Sequence, residues 1–305
     1  MKPLDYFKIA GTYEALNKDS FKHKVKINLC TNFTDEIIYK LLSGYLISEK
    51  IYPEIFKVPY KQYPAFLKNE NSALFSNDAD ISFIFFDINQ YLQSELSSDT
   101  GGEFFEIIKD IQNYVKKQKG LVIMNSIILP YHSAYANIIS ENKFFKLIQS
   151  FNSALEKIKN EEKSFYIFDT NRIMHILGEN ASRDLRGMYA FDNPFTSEFQ
   201  LEIVRQWTNF ILAKLGKTKK CIVLDLDNVL WGGVLGESGV HGIHLGPGYP
   251  GLAYQNFQLA LLDYYNRGVL LAINSRNNES DVNEVFEKNK HMILKPHHFA
   301  SAKIN

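Results

Sequence analysis

Two carboxylates flank one apolar residue in the run Cys221-Ile222-Val223-Leu224-Asp225-Leu226-Asp227. A strand has a period of two, so both acids point the same way for as long as the strand lasts. The carboxyl end of a strand in an open α/β sheet is where ligands bind. Acids in that position can work on a phosphate group. Asp225 can attack phosphorus, ligate magnesium, or do both through different oxygens. Asp227 can protonate the leaving oxygen and then activate water. A bound dianion beside two carboxylates calls for a divalent cation, so Mg2+ is the expected cofactor and Asp225 and Asp227 its ligands. The competing reading makes them caps or turn formers. It leaves two acids beside a buried apolar position without a partner, which is costly.

A second group follows the next apolar run. Ser275 closes the strand-like stretch Gly268–Ser275, and Arg276 and Asn277 follow it before the helix-like segment Asn278-Glu279-Ser280-Asp281. The Ser275 hydroxyl and the backbone N–H groups after it can hold a phosphoryl oxygen. With Asn228 these three form the expected phosphate- or substrate-binding set. Read alone, Ser275 or Asn277 would only cap a helix. Between the two groups lies a glycine-dense stretch, from Gly232 to Gly251, which reads as a flap or tight double turn. It is neither a dinucleotide fingerprint nor a Walker loop. Trp231 serves equally as a substrate platform or a core anchor. His241 and His244 are three apart but lack a third ligand for zinc.

The elements that must position these residues alternate between apolar strands and amphipathic helices. Strands are expected at Val25–Cys30, Ile81–Asp87, Leu121–Ile127 and Ser164–Asp169, then at Cys221–Leu226, Gly268–Ser275 and His291–Pro296. A long helix is expected from Glu198 to Leu215, with Ser197 as its N-cap and Gly216 as its stop. This pattern predicts an α/β protein with two three-layer parallel-sheet domains. The boundary falls after the long helix, giving domains at 1–217 and 218–305. The chain has 305 residues, 45% apolar and 22% charged, which suits folded domains rather than a disordered chain. Lys+Arg and Asp+Glu both number 34, so no broad basic field exists to grip a nucleic acid. The N-terminus has no apolar core of signal-peptide length, and no later stretch is long enough to span a membrane. A cytoplasmic protein without nucleic-acid or membrane partners is expected. The cysteines, Cys30 and Cys221, read as reduced thiols.

The block VLDLDNVLWGGVLGESGVHGIHLGPGYPGLAYQNFQ, with LLAINSRNNESDVNEVF and MILKPHHFASAKIN after it, resembles the FkbH-like branch of the haloacid dehalogenase superfamily. The upstream segments NFTDEIIYKLL, VPYKQY, FIFFDINQYL and RDLRGMYAFDNPFT are similar to the N-terminal part of such proteins, an SGNH-hydrolase- or flavodoxin-like α/β domain. The resemblance implies that Asp225 is the nucleophile, Asp227 the acid/base group and Ser275 the phosphate holder. It implies magnesium and a phosphorylated small acyl substrate such as a glyceryl phosphate. It also implies transfer of the acyl group to the thiol of an acyl carrier protein. The family's lysine and later acidic pair lie beyond the matched block, and Lys295 matches a non-catalytic position. The resemblance therefore leads us to expect a partial phosphatase-like domain with weak or no activity of its own. A non-catalytic binding or scaffold module is the alternative of a different class.

The first domain offers a third possibility, metal-independent esterase or acyl-transferase action. Its strand ends carry Cys30, Asn32, Asp87, Asn89 and Asn125, with His132 beyond the third strand and Asp184 later in the chain. Cys30 is placed for thiol chemistry or simply as a small buried apolar residue. No serine follows the first strand and no histidine follows Asp184, so a working serine triad is not expected. Arg183 and Arg186 can bind a phosphate or carboxylate, or pair with surface acids.

Overall fold

The computed structural model describes residues 1–88, 102–128 and 143–304. The chain divides into two compact units, Met1–Gly216 and Lys217–Asn305. In the first unit, β1 (His23–Thr31), β2 (Ile51–Lys57), β3 (Ile81–Phe85), β4 (Leu121–Asn125) and β5 (Phe165–Phe168) form a parallel sheet in the order β2-β1-β3-β4-β5. The chain steps one way from β1 to β2 and the other way from β1 through β3 to β5. Right-handed crossovers then place helices on both faces. Alternate residues of the strands serve the two faces. Ile27, Leu29, Phe83 and Phe85 pack under α2 (Glu36–Ser48) and the long helix Ser197–Lys214. Cys30, Ile84, Val122 and Met124 pack under the helices Gly102–Lys117 and Lys143–Glu161.

The long helix belongs to the first unit. Trp207 stacks on Phe83 with ring centroids 4.2 Å apart, and Ile203 and Ile211 are fully buried. Its N-cap is Thr196, whose hydroxyl accepts from the Phe199 N–H at 3.2 Å, one residue before the expected Ser197. Gly216 follows the helix with φ 67°, a left-handed stop. The sequence reading missed β2. Pro53 cannot donate to a ladder, which is tolerated because β2 lies at the sheet edge.

In the second unit β6 (Cys221–Leu224), β7 (Leu270–Ser275) and β8 (Phe299–Ile304) are parallel in that order. Both crossovers run in one direction, so the helices Gly251–Asn266 and Glu279–Lys288 share one face. Leu224, Leu271 and Ile273 point into that core with Val282, Val285 and Phe286. Val223 and Leu270 point the other way and are 63% and 53% exposed. The third strand is not His291–Pro296 as expected. Met292 and Leu294 are buried there, but the N–H groups of Ile293 and Leu294 donate to the side-chain oxygen of Gln258, at 2.9 and 3.1 Å. A helix side chain thus takes the bonds a neighbouring strand would need, and pairing starts only at Phe299. No helix among the described residues is long and apolar enough to cross a membrane.

Candidate active site

The strand β6 stops at Leu224, so Asp225 and Asp227 stand just past its end rather than within it. Leu226 between them is fully buried, and its carbonyl accepts the N–H of Leu230 at 2.9 Å. The chain therefore turns around Leu226. Asn228 takes the left-handed conformation, φ 57°, and its side-chain oxygen accepts the Gly233 N–H at 2.9 Å. Asn228 therefore braces the turn. Its side-chain oxygen is spent on backbone rather than offered to a ligand.

The two carboxylates are held differently. Asp225 Oδ1 accepts the Ser275 hydroxyl at 2.6 Å and the N–H of Leu226 at 2.8 Å. Asp227 Oδ1 accepts the Trp231 indole N–H at 3.0 Å and the Leu235 N–H at 3.1 Å. Each acid is thus fixed through one oxygen. Among the described residues, no protein hydrogen bond reaches the other oxygen of either. Trp231 is fully buried. It is a core anchor that also orients Asp227, a role the sequence reading did not assign. The signal was present as an Asp-x-x-x-Trp spacing across a turn.

Ser275 ends β7 beside β6, fifty residues from Asp225. Asn277 Nδ2 donates to Ser275 Oγ at 3.1 Å, which leaves the hydroxyl proton to Asp225. Both Ser275 and Asn277 are buried. The helix after them is capped by Asn278, whose side chain accepts from Ser280 N–H at 3.2 Å. The capping that would have explained Ser275 and Asn277 is thus done by their neighbour. Arg276 is exposed. The glycine-dense stretch forms a loop closed at its base by Gly232 and His244, which exchange N–H···O bonds of 3.0 and 2.8 Å. Leu235, at the start of the short helix Leu235–Gly242 in that loop, is the residue whose N–H reaches Asp227.

The donor set suits magnesium, which prefers carboxylate oxygens. Asp225 and Asp227 could supply two such oxygens. Among the described residues no group of three or more His, Cys, Asp or Glu is arranged to hold a metal ion. Other oxygens, from substrate or solvent, would complete the shell.

The first unit uses its nominated residues for structure. Cys30 is buried in the core, where desolvation first and the charge of Asp35 second push its thiol far above the usual range. The Asn32 amide accepts from Asp87 N–H at 2.8 Å and donates to Asp87 O at 2.7 Å. Asn125 does the same to Phe86, at 2.8 and 2.9 Å. Two amides thus clamp the backbone at the end of β3. The Asp87 carboxylate lies 3.6 Å from Arg183, which also meets Glu179 at 3.3 Å, and the side chains of Asp87 and Arg183 are nearly sealed from solvent. Asp184 caps the helix Leu185–Phe191 by accepting the Gly187 N–H at 2.8 Å. Asn89 and His132 lie outside the described residues.

No family model matches the chain, and no curated protein matches it. Among solved structures it is similar to the N-terminal part of the protein BF1531 from Bacteroides fragilis, which contains a phosphatase domain complexed with Mg. The TM-score is 0.85 at 22% identity, covering 100% of this chain and 81% of that one. A family 3 carbohydrate esterase from Clostridium thermocellum matches at TM-score 0.42 and 15% identity, over 63% of this chain and 98% of that one. The second likeness is too loose to carry an argument. The first shows that the chain shares the fold of that part of the Bacteroides protein.

Proposed function

We propose that this protein is a magnesium-dependent phosphoryl-transfer enzyme of the FkbH-like kind, acting on a small phosphorylated acyl substrate. One observation carries the reading: Asp225 and Ser275 meet at the carboxyl ends of β6 and β7, with Ser275 Oγ 2.6 Å from Asp225 Oδ1, and Asp227 follows two residues on. Ser275 can swing its hydroxyl proton from Asp225 to a phosphoryl oxygen, while Asn277 holds the hydroxyl in place. Asp225 is then relieved of a donor and can attack phosphorus, displacing the leaving oxygen. Asp227, oriented by Trp231 and Leu235, supplies a proton to that oxygen and takes one from the water that follows. Magnesium, held by Asp225 and Asp227, would offset the charge gathered there. Magnesium in the Bacteroides relative supports this cofactor. The FkbH-like resemblance supports the acyl substrate and transfer to a carrier-protein thiol.

Acetyl phosphate is a suitable probe. Phosphate release should require Mg2+ and fall about a hundredfold or more in Asp225→Asn, since a lost nucleophile removes the covalent route. Equal release by the two proteins would remove Asp225 from the mechanism. Release that persists without metal and in Asp225→Asn would move the chemistry to the first unit.

A further inference from the structure

A tight turn, Pro296–His298, leads from the buried residues Met292 and Leu294 into β8. Two bonds close it. The His298 N–H donates to the Lys295 carbonyl at 2.9 Å. The Lys295 N–H in turn donates to His298 Nδ1, also at 2.9 Å. The strand begins at the next residue, Phe299, which pairs with Leu271 of β7 and meets the Phe286 ring at 5.9 Å. Among the described strands β8 is an edge, bonded to β7 alone, and residues 300–303 are exposed. A strand with so little buried surface depends on its ladder and on how it is fastened at its ends. His298 is the fastening at its entry.

To accept the Lys295 N–H, Nδ1 must keep its lone pair, so the ring is neutral with its proton on Nε2. A proton on Nδ1 would set two N–H groups against each other. Three titratable groups face the ring. Lys295 and His297 come from its own turn, and the His297 ring lies 4.2 Å away between centroids. Tyr265 comes from the helix Gly251–Asn266 and lies 4.9 Å away. Burial first, then the charges of His297 and Lys295, hold His298 below the ordinary histidine range. The unfolded chain therefore takes up this proton at a higher pH than the folded one. The stability that the neutral ring supplies is present above about pH 6.5 and is lost as the pH falls below it.

We propose that His298 is a pH-sensitive latch, which holds β8 on the sheet when neutral and releases its entry when mild acid protonates Nδ1 and breaks the bond from Lys295. The far end of the strand reaches the candidate active site, because Ile304 pairs with Ser275. Release of β8 would thus bare the side of β7 opposite the strand that leads to Asp225. The latch does not depend on the phosphoryl-transfer reading, and its test uses no substrate.

Hydrogen exchange of the full chain at about pH 7.5 and about pH 5, corrected for intrinsic rates, reads the strand directly. Protection over 299–304 should fall about fivefold to tenfold at the lower pH, the loss that one hydrogen bond supports. The Phe83 amide of the first unit should keep its protection. His298→Asn places an oxygen acceptor where Nδ1 stands and cannot titrate, so its β8 should stay protected at both pH values. His298→Ala removes the acceptor, so its β8 should exchange at neutral pH as the unaltered chain does in acid. In imidazole ¹H–¹⁵N NMR spectra, His298 should carry its proton on Nε2 at neutral pH and titrate below about 6.5. Should either variant fail to fold, coincidence of that titration with the loss of β8 protection in the unaltered chain decides the matter. Equal protection at the two pH values, a pH response that survives in His298→Asn, or a proton on Nδ1 at neutral pH would overturn the proposal.

Discussion

At the scale of single residues, polar side chains at strand ends do opposite jobs in the two units. Asp225 and Asp227 each keep one oxygen clear of protein hydrogen bonds among the described residues, whereas Asn32 and Asn125 spend both ends of their amides on the backbone of residues 86 and 87. The cysteines differ in the same way. Cys30 is buried and Cys221 is exposed. Burial raises the Cys30 thiol, so the reactive thiolate is scarce at neutral pH and the sulfur is out of reach. A thiol reagent such as DTNB should therefore modify one thiol per native chain. Cys221→Ser should abolish that rapid reaction, and Cys30 should react only after denaturation. Rapid labelling of native Cys221→Ser would show Cys30 accessible and return it to consideration as a nucleophile.

At the scale of elements, close approach decides how helices and loops are seated. Gly44 is needed because α1 (Pro3–Ala10) crosses α2 with the Tyr6 carbonyl against it. Its φ is ordinary, so the constraint is space and not backbone conformation. Gly44→Ala should cost about 1–3 kcal/mol in urea denaturation, the usual range for overpacking. A stability within error of the parent would mean that α1 is not seated on α2 as described. In the second unit the equivalent lesson comes from Gln258. Its side chain donates to Leu230 O at 2.7 Å and accepts from Ile293 and Leu294, joining the turn after the acids to the segment before β8. That one amide explains why the apolar run at 291–296 packs without becoming a strand.

At the scale of the whole molecule, the described residues hold separate cores. Two cover the faces of the five-stranded sheet, and the third belongs to the second unit. A core built within one unit should fail by itself. Ile273→Ala should destabilise the second unit by about 2–5 kcal/mol. Hydrogen exchange should then speed up in β7 and leave the Phe83 amide of β3 as protected as before. Loss of protection at both would show that the units unfold as one. The contrast between the sheets has a topological cause. The first sheet is wound in both directions and covered on both faces. The described strands of the second are wound in one direction, and Val223 and Leu270 lie bare on its other face.

The alternation of apolar strands with amphipathic helices is a local property. Parallel sheets, the strand ends bearing Asp225 and Ser275, and the long helix ending at Gly216 could therefore be read from the sequence. Local pattern failed where a neighbour decided the outcome. Pro53 concealed β2, because only the edge position makes a missing donor harmless. Gln258 withheld the strand at 291–296, and Thr196 displaced Ser197 as the cap. The sequence by itself determined which groups could do chemistry, since side-chain type and strand period are written in it. Only the tertiary structure decided which groups are available to do it. Availability depends on hydrogen-bond partners brought from far along the chain: Ser275 to Asp225 and Asp87 to Asn32.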